Sequence, residues 1–207
     1  VPAQPVLFDM KKADGTVVPA LGAPTKQGAL YVLDRRTGEA IIPFKEIPAP
    51  QGTIPEDHAS PTQPISDLTF SPPPLHEKNM WGVSLFDQLA CRIEFHRYKY
   101  EGRYTPPSLE GTIVYPGNFG TFNWGSVAVD PERQIMFGMP TYLAFTSRLV
   151  PAADIPPKGA GEKGSEQGLN RNDGAPYGVV MGPFLGPLGI PCQAPPWGYV
   201  AGADLTT

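Results

Sequence analysis

The chain has 207 residues and no apolar run near the roughly 18 residues needed to span a bilayer. Its best stretch, Val179 to Cys192, is broken by Pro183, Pro187 and Pro191. Cysteine is scarce, with only Cys91 and Cys192, and no CxxC pair exists. The three histidines, His58, His76 and His96, are scattered without ligand spacing, so each reads as a satisfied surface residue and not as a zinc ligand. No GxSxG string is present, which removes the nucleophile elbow of the α/β-hydrolases. A basic excess is missing too: 16 Lys+Arg against 20 Asp+Glu leave a net charge of −4. A nucleic-acid scaffold would carry the opposite balance, so no nucleic-acid partner is expected. The chain opens Val1-Pro2-Ala3-Gln4-Pro5 without a signal sequence or initiator Met, and closes Ala203-Asp204-Leu205-Thr206-Thr207. Both ends read as cuts in a longer protein.

What the chain has in abundance is proline and glycine, 27 and 23 residues. An interior proline costs a helix about 3 kcal/mol, so a helical bundle is excluded. Short strands, many turns and long ordered loops are favoured instead. Ala13-Asp14-Gly15 marks a hairpin between Val6-Leu7-Phe8 and Val17-Val18. Ala29 to Leu33 reads as a short strand that turns through Asp34-Arg35-Arg36-Thr37-Gly38 into a second strand at Ala40-Ile41-Ile42. The same strand, aspartate and polar turn recur at Ser126 to Phe137 around Asp130, and at Gly198 to Thr207 around Asp204.

The physics of that pattern is specific. An aspartate carboxylate accepts hydrogen bonds from backbone N–H groups two and three residues on, and Gly38 supplies a positive φ. Asp34 and Asp204 are separated by a span that holds about four units of 40 to 45 residues, the size of a propeller blade. The expectation is an all-β repeat architecture.

Two intervening stretches differ. Pro43 to Pro74 is proline-rich with little periodicity and reads as an ordered surface loop; Pro151 to Gly174 reads as a mobile excursion. One short helix is expected from an N-cap at Asn79, because Trp81, Leu85, Phe86, Leu89 and Ile93 fall at helical spacing.

Gly159-x-Gly161-x-x-Gly164 matches a dinucleotide fingerprint as a string only. Pro156-Pro157 precedes it and polar coil follows, so the strand and helix that the mechanism requires are absent and a loop is expected. Arg92 to Tyr104 interleaves basic and aromatic residues, as a single-strand platform would. With Glu94, Glu101 and Glu110 close by in an acidic chain, a solvated, salt-bridged face is the stronger reading.

Two features are sharper. Lys26 stands in Ala23-Pro24-Thr25-Lys26-Gln27-Gly28, at the entry to a strand, where an ammonium presents three donors to an anion. The plainer reading is a solvent lysine, and the residues alone favour it. The run Tyr115 to Ser126 holds glycines that let backbone approach a ligand, an amide on Asn123 and a flat face on Trp124. A Gly-rich turn with a buried aromatic explains that run equally well.

Taken together these strings resemble the membrane-bound quinoprotein glucose dehydrogenases. The resemblance is carried by Val1-Pro2-Ala3-Gln4-Pro5, Tyr31-Val32-Leu33-Asp34-Arg35-Arg36-Thr37-Gly38, Pro61-Thr62-Gln63-Pro64, Met80-Trp81-Gly82, Phe86-Asp87-Gln88-Leu89, Tyr100-Glu101-Gly102, Thr105-Pro106-Pro107-Ser108, Asn118 to Trp124, and Pro195-Pro196-Trp197-Gly198-Tyr199. It implies a partial β-propeller, residues 1–207 being about four blades of an eight-bladed quinoprotein propeller with long Pro/Gly-rich loops and a short helix. It implies pyrroloquinoline quinone (PQQ) with Ca²⁺ or Mg²⁺ as cofactors, glucose or a related aldose as substrate, and ubiquinone as electron acceptor. It places the protein at the periplasmic face of the inner membrane.

By the same resemblance Lys26, Asn123 and Trp124 are the cofactor-binding residues. An asparagine that some relatives carry after the next strand is replaced here by Met139-Pro140. The family's catalytic aspartate is expected just upstream of Val1, so residues 1–207 alone are expected to be inactive. The rival class is a non-catalytic propeller used as a binding scaffold, which has no need of Lys26 or the Asn118 to Trp124 run. In an oxidising periplasm Cys91 and Cys192 are expected to pair as a disulfide, the alternative being two separate buried thiols.

Overall fold

The computed structural model describes residues 3–55, 57–157 and 167–206. The glycine string at 159–164 lies outside them. Strand β1 (Val6–Lys11) pairs antiparallel with β2 (Val17–Pro24) across the Asp14-Gly15 turn, and β2 pairs antiparallel with β3 (Leu30–Asp34). Period-two alternation is clear in β1, where Phe8 and Met10 are buried and Leu7, Asp9 and Lys11 are exposed.

The expected strand at Ala40–Ile42 does not form. Only Ala40 bridges back to Leu33, and the N–H groups of Ile41 and Ile42 both converge on the Val32 carbonyl, which ends the ladder. Residues 68–70 compete for the same edge: Leu30 N–H donates to Leu68 and Phe70 N–H to Gly28.

The Pro43 to Pro74 loop contains a ribbon, β4 (Phe44–Pro48) with β5 (Thr62–Ser66). The stretch reads from sequence as a loop because its prolines leave little strand periodicity. A two-stranded ribbon is all edge, so Pro48 and Pro64 need donate nothing to a neighbour.

The helix α1 (Leu85–Arg97) begins later than its spacing predicts. Glu77–Asn79 is a single 3₁₀ turn, Met80 bridges to Gln193, and Trp81 N–H donates to the Cys192 carbonyl, which holds residues 80 and 81 extended. Ser84 is the true N-cap; its hydroxyl accepts from Asp87 N–H at 3.2 Å. The apolar stripe also faces outward: Leu85 and Phe86 are 82% and 86% exposed, while Asp87 and Cys91 are the buried residues.

After α1 come β6 (Thr112–Val114), β7 (Val127–Asp130), β8 (Ile135–Gly138), β9 (Phe145–Pro151), β10 (Gly168–Asn170), β11 (Tyr177–Pro183) and β12 (Ala201–Asp204). They build a four-stranded sheet ordered β10-β11-β9-β6 and a three-stranded sheet ordered β12-β8-β7, every named pair antiparallel. The described residues thus hold three sheets of blade size, one ribbon and one α-helix, the all-β architecture expected of a partial propeller.

The three aspartate turns are built as their chemistry predicts. Asp34 accepts from Arg36 N–H at 2.8 Å, Asp130 from Glu132 and Arg133 N–H at 3.0 Å each, and Asp204 from Thr206 N–H at 2.8 Å. The Arg36 guanidinium reinforces the first, lowering the Asp34 carboxyl to about 2.

Two cores result. The first joins the β1-β2-β3 and β12-β8-β7 sheets through Phe8, Leu30, Val32, Phe122, Met136 and Leu205. At Gly22 a Cβ would stand 3.2 Å from the Met136 side chain and 3.3 Å from Phe8, so β2 packs closely on β8. The second core gathers Leu75, Met80, Cys91, Ile113, Phe184 and Cys192. Within it Cys91 and Cys192 are disulfide-bonded with Cα atoms 5.3 Å apart, tying α1 to the loop after β11.

Candidate functional site

The turn between β2 and β3 is fixed at its base. Thr25 donates from both N–H and hydroxyl to the Ala29 carbonyl, and Gly28 N–H returns to Thr25. Gly28 has φ +88°, and a Cβ there would lie 2.7 Å from the Ser71 backbone, so only glycine fits. This turn presents Lys26.

The second half of the site is the run entering β7. Gly117 N–H donates to the Leu143 carbonyl, and its Cα packs where a Cβ would strike the Phe145 ring at 2.4 Å. The chain then doubles back, Gly120 N–H donating to Gly117 at 2.8 Å. Phe119 stacks edge-on against Phe145, and Phe122 against Phe70, with centroids 5.3 and 5.4 Å apart. These rings hold the run down from both sides.

The two halves meet at Lys26. Its ammonium donates to the Asn118 carbonyl at 2.5 Å, and its own carbonyl accepts Thr121 N–H at 2.7 Å. Thr121 passes the connection on by accepting from Thr141 N–H at 2.9 Å, which brings in the segment leaving β8. A lysine with a plainer role would point into solvent; this one is half-buried against a loop far away in sequence.

Asn123 and Trp124 follow on the same run, and the contacts to Lys26 come from Asn118, Gly120 and Thr121 instead. Asn123 Oδ1 and Thr121 Oγ1 are buried with no hydrogen-bond partner. Such orphans are costly and call for a donor or a cation. Trp124 is 85% exposed, a large flat apolar face left uncovered.

An ammonium with donors to spare and an open indole face suit a flat, anionic, aromatic ligand, while the unsatisfied Asn123 oxygen suits a donor or a cation. Among the described residues no three His, Cys, Asp or Glu side chains gather as a metal cluster. Nothing therefore assigns ligands to a divalent cation. The holding roles of Gly120 and Thr121 are not evident from sequence, since they depend on the Lys26 turn arriving from another sheet. The double glycine of Gly117-Asn118-Phe119-Gly120 is the one signal of a close backbone approach.

Most charged residues of the Arg92 to Tyr104 stretch find ordinary partners. Glu77 pairs with Arg92 and with His96, Arg97 with Glu94, and Lys99 with Glu101, so the basic-aromatic stretch is a salt-bridged face. The Arg92 guanidinium, with help from His96, lowers the Glu77 carboxyl below its usual range.

Residues 1–207 match the family model described as PQQ: glucose/ethanol/alcohol dehydrogenase, beta-propeller domain. The chain is 51% identical to a quinoprotein glucose dehydrogenase of Gluconobacter oxydans, over all of this chain and 27% of that protein. It is 47% identical to a quinoprotein glucose dehydrogenase of Escherichia coli, over all of this chain and 26% of that protein. It is 48% identical to quinoprotein glucose dehydrogenase A of Acinetobacter calcoaceticus, again over all of this chain and 27% of the relative. The chain spans about a quarter of the length of these relatives.

Proposed function

Because the chain belongs to the PQQ-dependent glucose/ethanol/alcohol dehydrogenase β-propeller family, we propose that it forms part of a quinoprotein dehydrogenase that oxidises glucose or a related aldose to its lactone. The observation that carries this reading is the Lys26 site set in a chain that resembles glucose dehydrogenases along its whole length. The proposal includes ubiquinone as the electron acceptor and the periplasmic face of the inner membrane as the location. A scaffold propeller has no use for an ammonium held against a glycine run or for the bare face of Trp124.

Lys26, Trp124 and Asn123 would hold PQQ, which with Ca²⁺ or Mg²⁺ would supply the redox chemistry of sugar oxidation. Lys26 would present a fixed positive charge to the cofactor, which stabilises negative charge as it grows during reduction. Trp124 offers a stacking face for the flat ring system. Asn123 offers an acceptor already desolvated by burial.

The test is reconstitution of the full-length apoprotein with PQQ and Ca²⁺ or Mg²⁺, followed by dye reduction with glucose. Sugar-dependent turnover that requires PQQ supports the proposal. Cofactor binding with no aldose oxidation, or no binding at all, refutes it.

A further inference from the structure

Lys26 is held at three points by one short segment. Its carbonyl is pinned by Thr121 N–H, its ammonium by the Asn118 carbonyl, and its stem lies against Gly120. The third contact is the tightest. A Cβ added at Gly120 would stand 2.6 Å from the Cα, the Cβ and the Cγ of Lys26 alike. Gly120 also has φ +73°, the left-handed region that L side chains resist. Space and backbone therefore both demand glycine at this position.

We infer that Gly117–Thr121 is a clamp for Lys26, and that Gly120 is a positioning residue whose missing side chain sets where the ammonium stands. The inference rests on the reading of Lys26 as a cofactor-binding residue. A lysine stem has four rotatable carbons and gives up much rotamer freedom when it is fixed on a ligand. Here the chain's own contacts order the stem. One of the three ammonium donors is spent on Asn118, which leaves two, and the carbonyl fixes the direction in which they point. Preorganisation of this kind improves affinity by lowering the ordering cost, and it fixes the charge where it acts.

The clamp also explains why the glycine run and the lysine turn come from different sheets. The lysine follows β2, while the clamp leads into β7. Their sheets share one core, so the distance between the two turns is set by packing as rigid as the interior itself.

The test is a double-mutant cycle in the full-length protein, built from Gly120→Ala and Lys26→Met. It measures PQQ dissociation constants by titration of the apoprotein and the midpoint potential of the bound quinone. With Lys26 intact, Gly120→Ala is expected to weaken PQQ at least about tenfold. Added to Lys26→Met, it is expected to weaken PQQ less than about twofold, because neighbours acting through one group are not additive. Gly120→Ala is also expected to lower the midpoint potential, since a displaced ammonium stabilises the reduced quinone less.

Equal losses in both backgrounds, or an unchanged potential, would show a merely structural glycine and overturn the clamp. Should Lys26→Met bind PQQ as tightly as wild type, the cofactor reading of Lys26 itself fails, and the clamp with it. If Gly120→Ala does not fold, Gly120→Asn takes its place. Asparagine tolerates positive φ better and still sets a Cβ against Lys26.

Discussion

The Lys26 ammonium and the Asn118 carbonyl, 92 residues apart in sequence, form a hydrogen bond that joins the β2–β3 turn to the run entering β7. The bond ties a charged side chain to main chain, so it survives any substitution at Asn118 that keeps the backbone path. The lysine is the partner that matters.

Removing it should separate function from folding. Lys26→Ala in the full-length protein is expected to lower turnover about a hundredfold, the roughly 3 kcal/mol typical of losing one donor at a developing negative charge. The melting temperature of the apoprotein should move little, because Lys26 is half-buried and joins neither core cluster. Steady-state kinetics beside thermal melts check this; unchanged turnover at saturating PQQ contradicts it.

Trp124 gives a second separation. Exposed side chains away from packed features usually alter stability by less than about 0.5 kcal/mol, and Trp124 is 85% exposed. Trp124→Ala should leave the apoprotein melt unchanged and weaken PQQ by about 0.5 to 1.5 kcal/mol, roughly two- to twelvefold, the range for an aromatic pair. Fluorescence titration of the apoprotein measures it.

The disulfide should behave as a staple. Cys91 and Cys192 close a loop with a sequence separation of 101. The chain-entropy account gives up to about 4 to 5 kcal/mol for a loop of that length. Cys91→Ser with Cys192→Ser, or the wild type under reductant, should melt well below the oxidised protein. Titration of the denatured, unreduced protein should find neither thiol free.

Acid should loosen the Asp34 turn in a defined window. The carboxyl falls from 3.8 to about 2 in the folded protein because the Arg36 side chain and backbone N–H bond the charged form. A depressed pKa of this sign stabilises the fold fully above the unfolded value and loses that contribution as pH drops toward 2. Relative to Asp34→Asn, the wild type should therefore lose its advantage between about pH 4 and pH 2. Denaturant midpoints for both proteins across that range test it.

These turns were also the most legible part of the sequence. Asp34, Asp130 and Asp204 act on backbone groups two or three residues away, so local sequence carries the whole signal. The start of α1 was misread because Met80 and Trp81 are committed to Gln193 and Cys192, partners invisible from the local pattern. Leu85 and Phe86 then misled about which face is buried, since helical spacing shows that a stripe exists and not where it points. The β4–β5 ribbon was hidden because proline rules assume two neighbours per strand. At the site, Lys26 and the Asn118 to Trp124 run were each visible, but their contact comes from two sheets packing together.

The strand order β12-β8-β7 has a consequence for how the protein is made. β8 ends at Gly138 and β12 does not begin until Ala201, yet the two pair along four residues. At ribosomal rates of about 5 to 20 residues per second, β8 emerges and waits roughly 3 to 12 s for its outer partner. Throughout that interval the β7–β8 hairpin offers a bare edge while Leu205, which completes the core beneath it, is still unmade. Slowed translation between these strands should lengthen that exposure and favour aggregation of the nascent chain, even where every finished molecule has the same sequence.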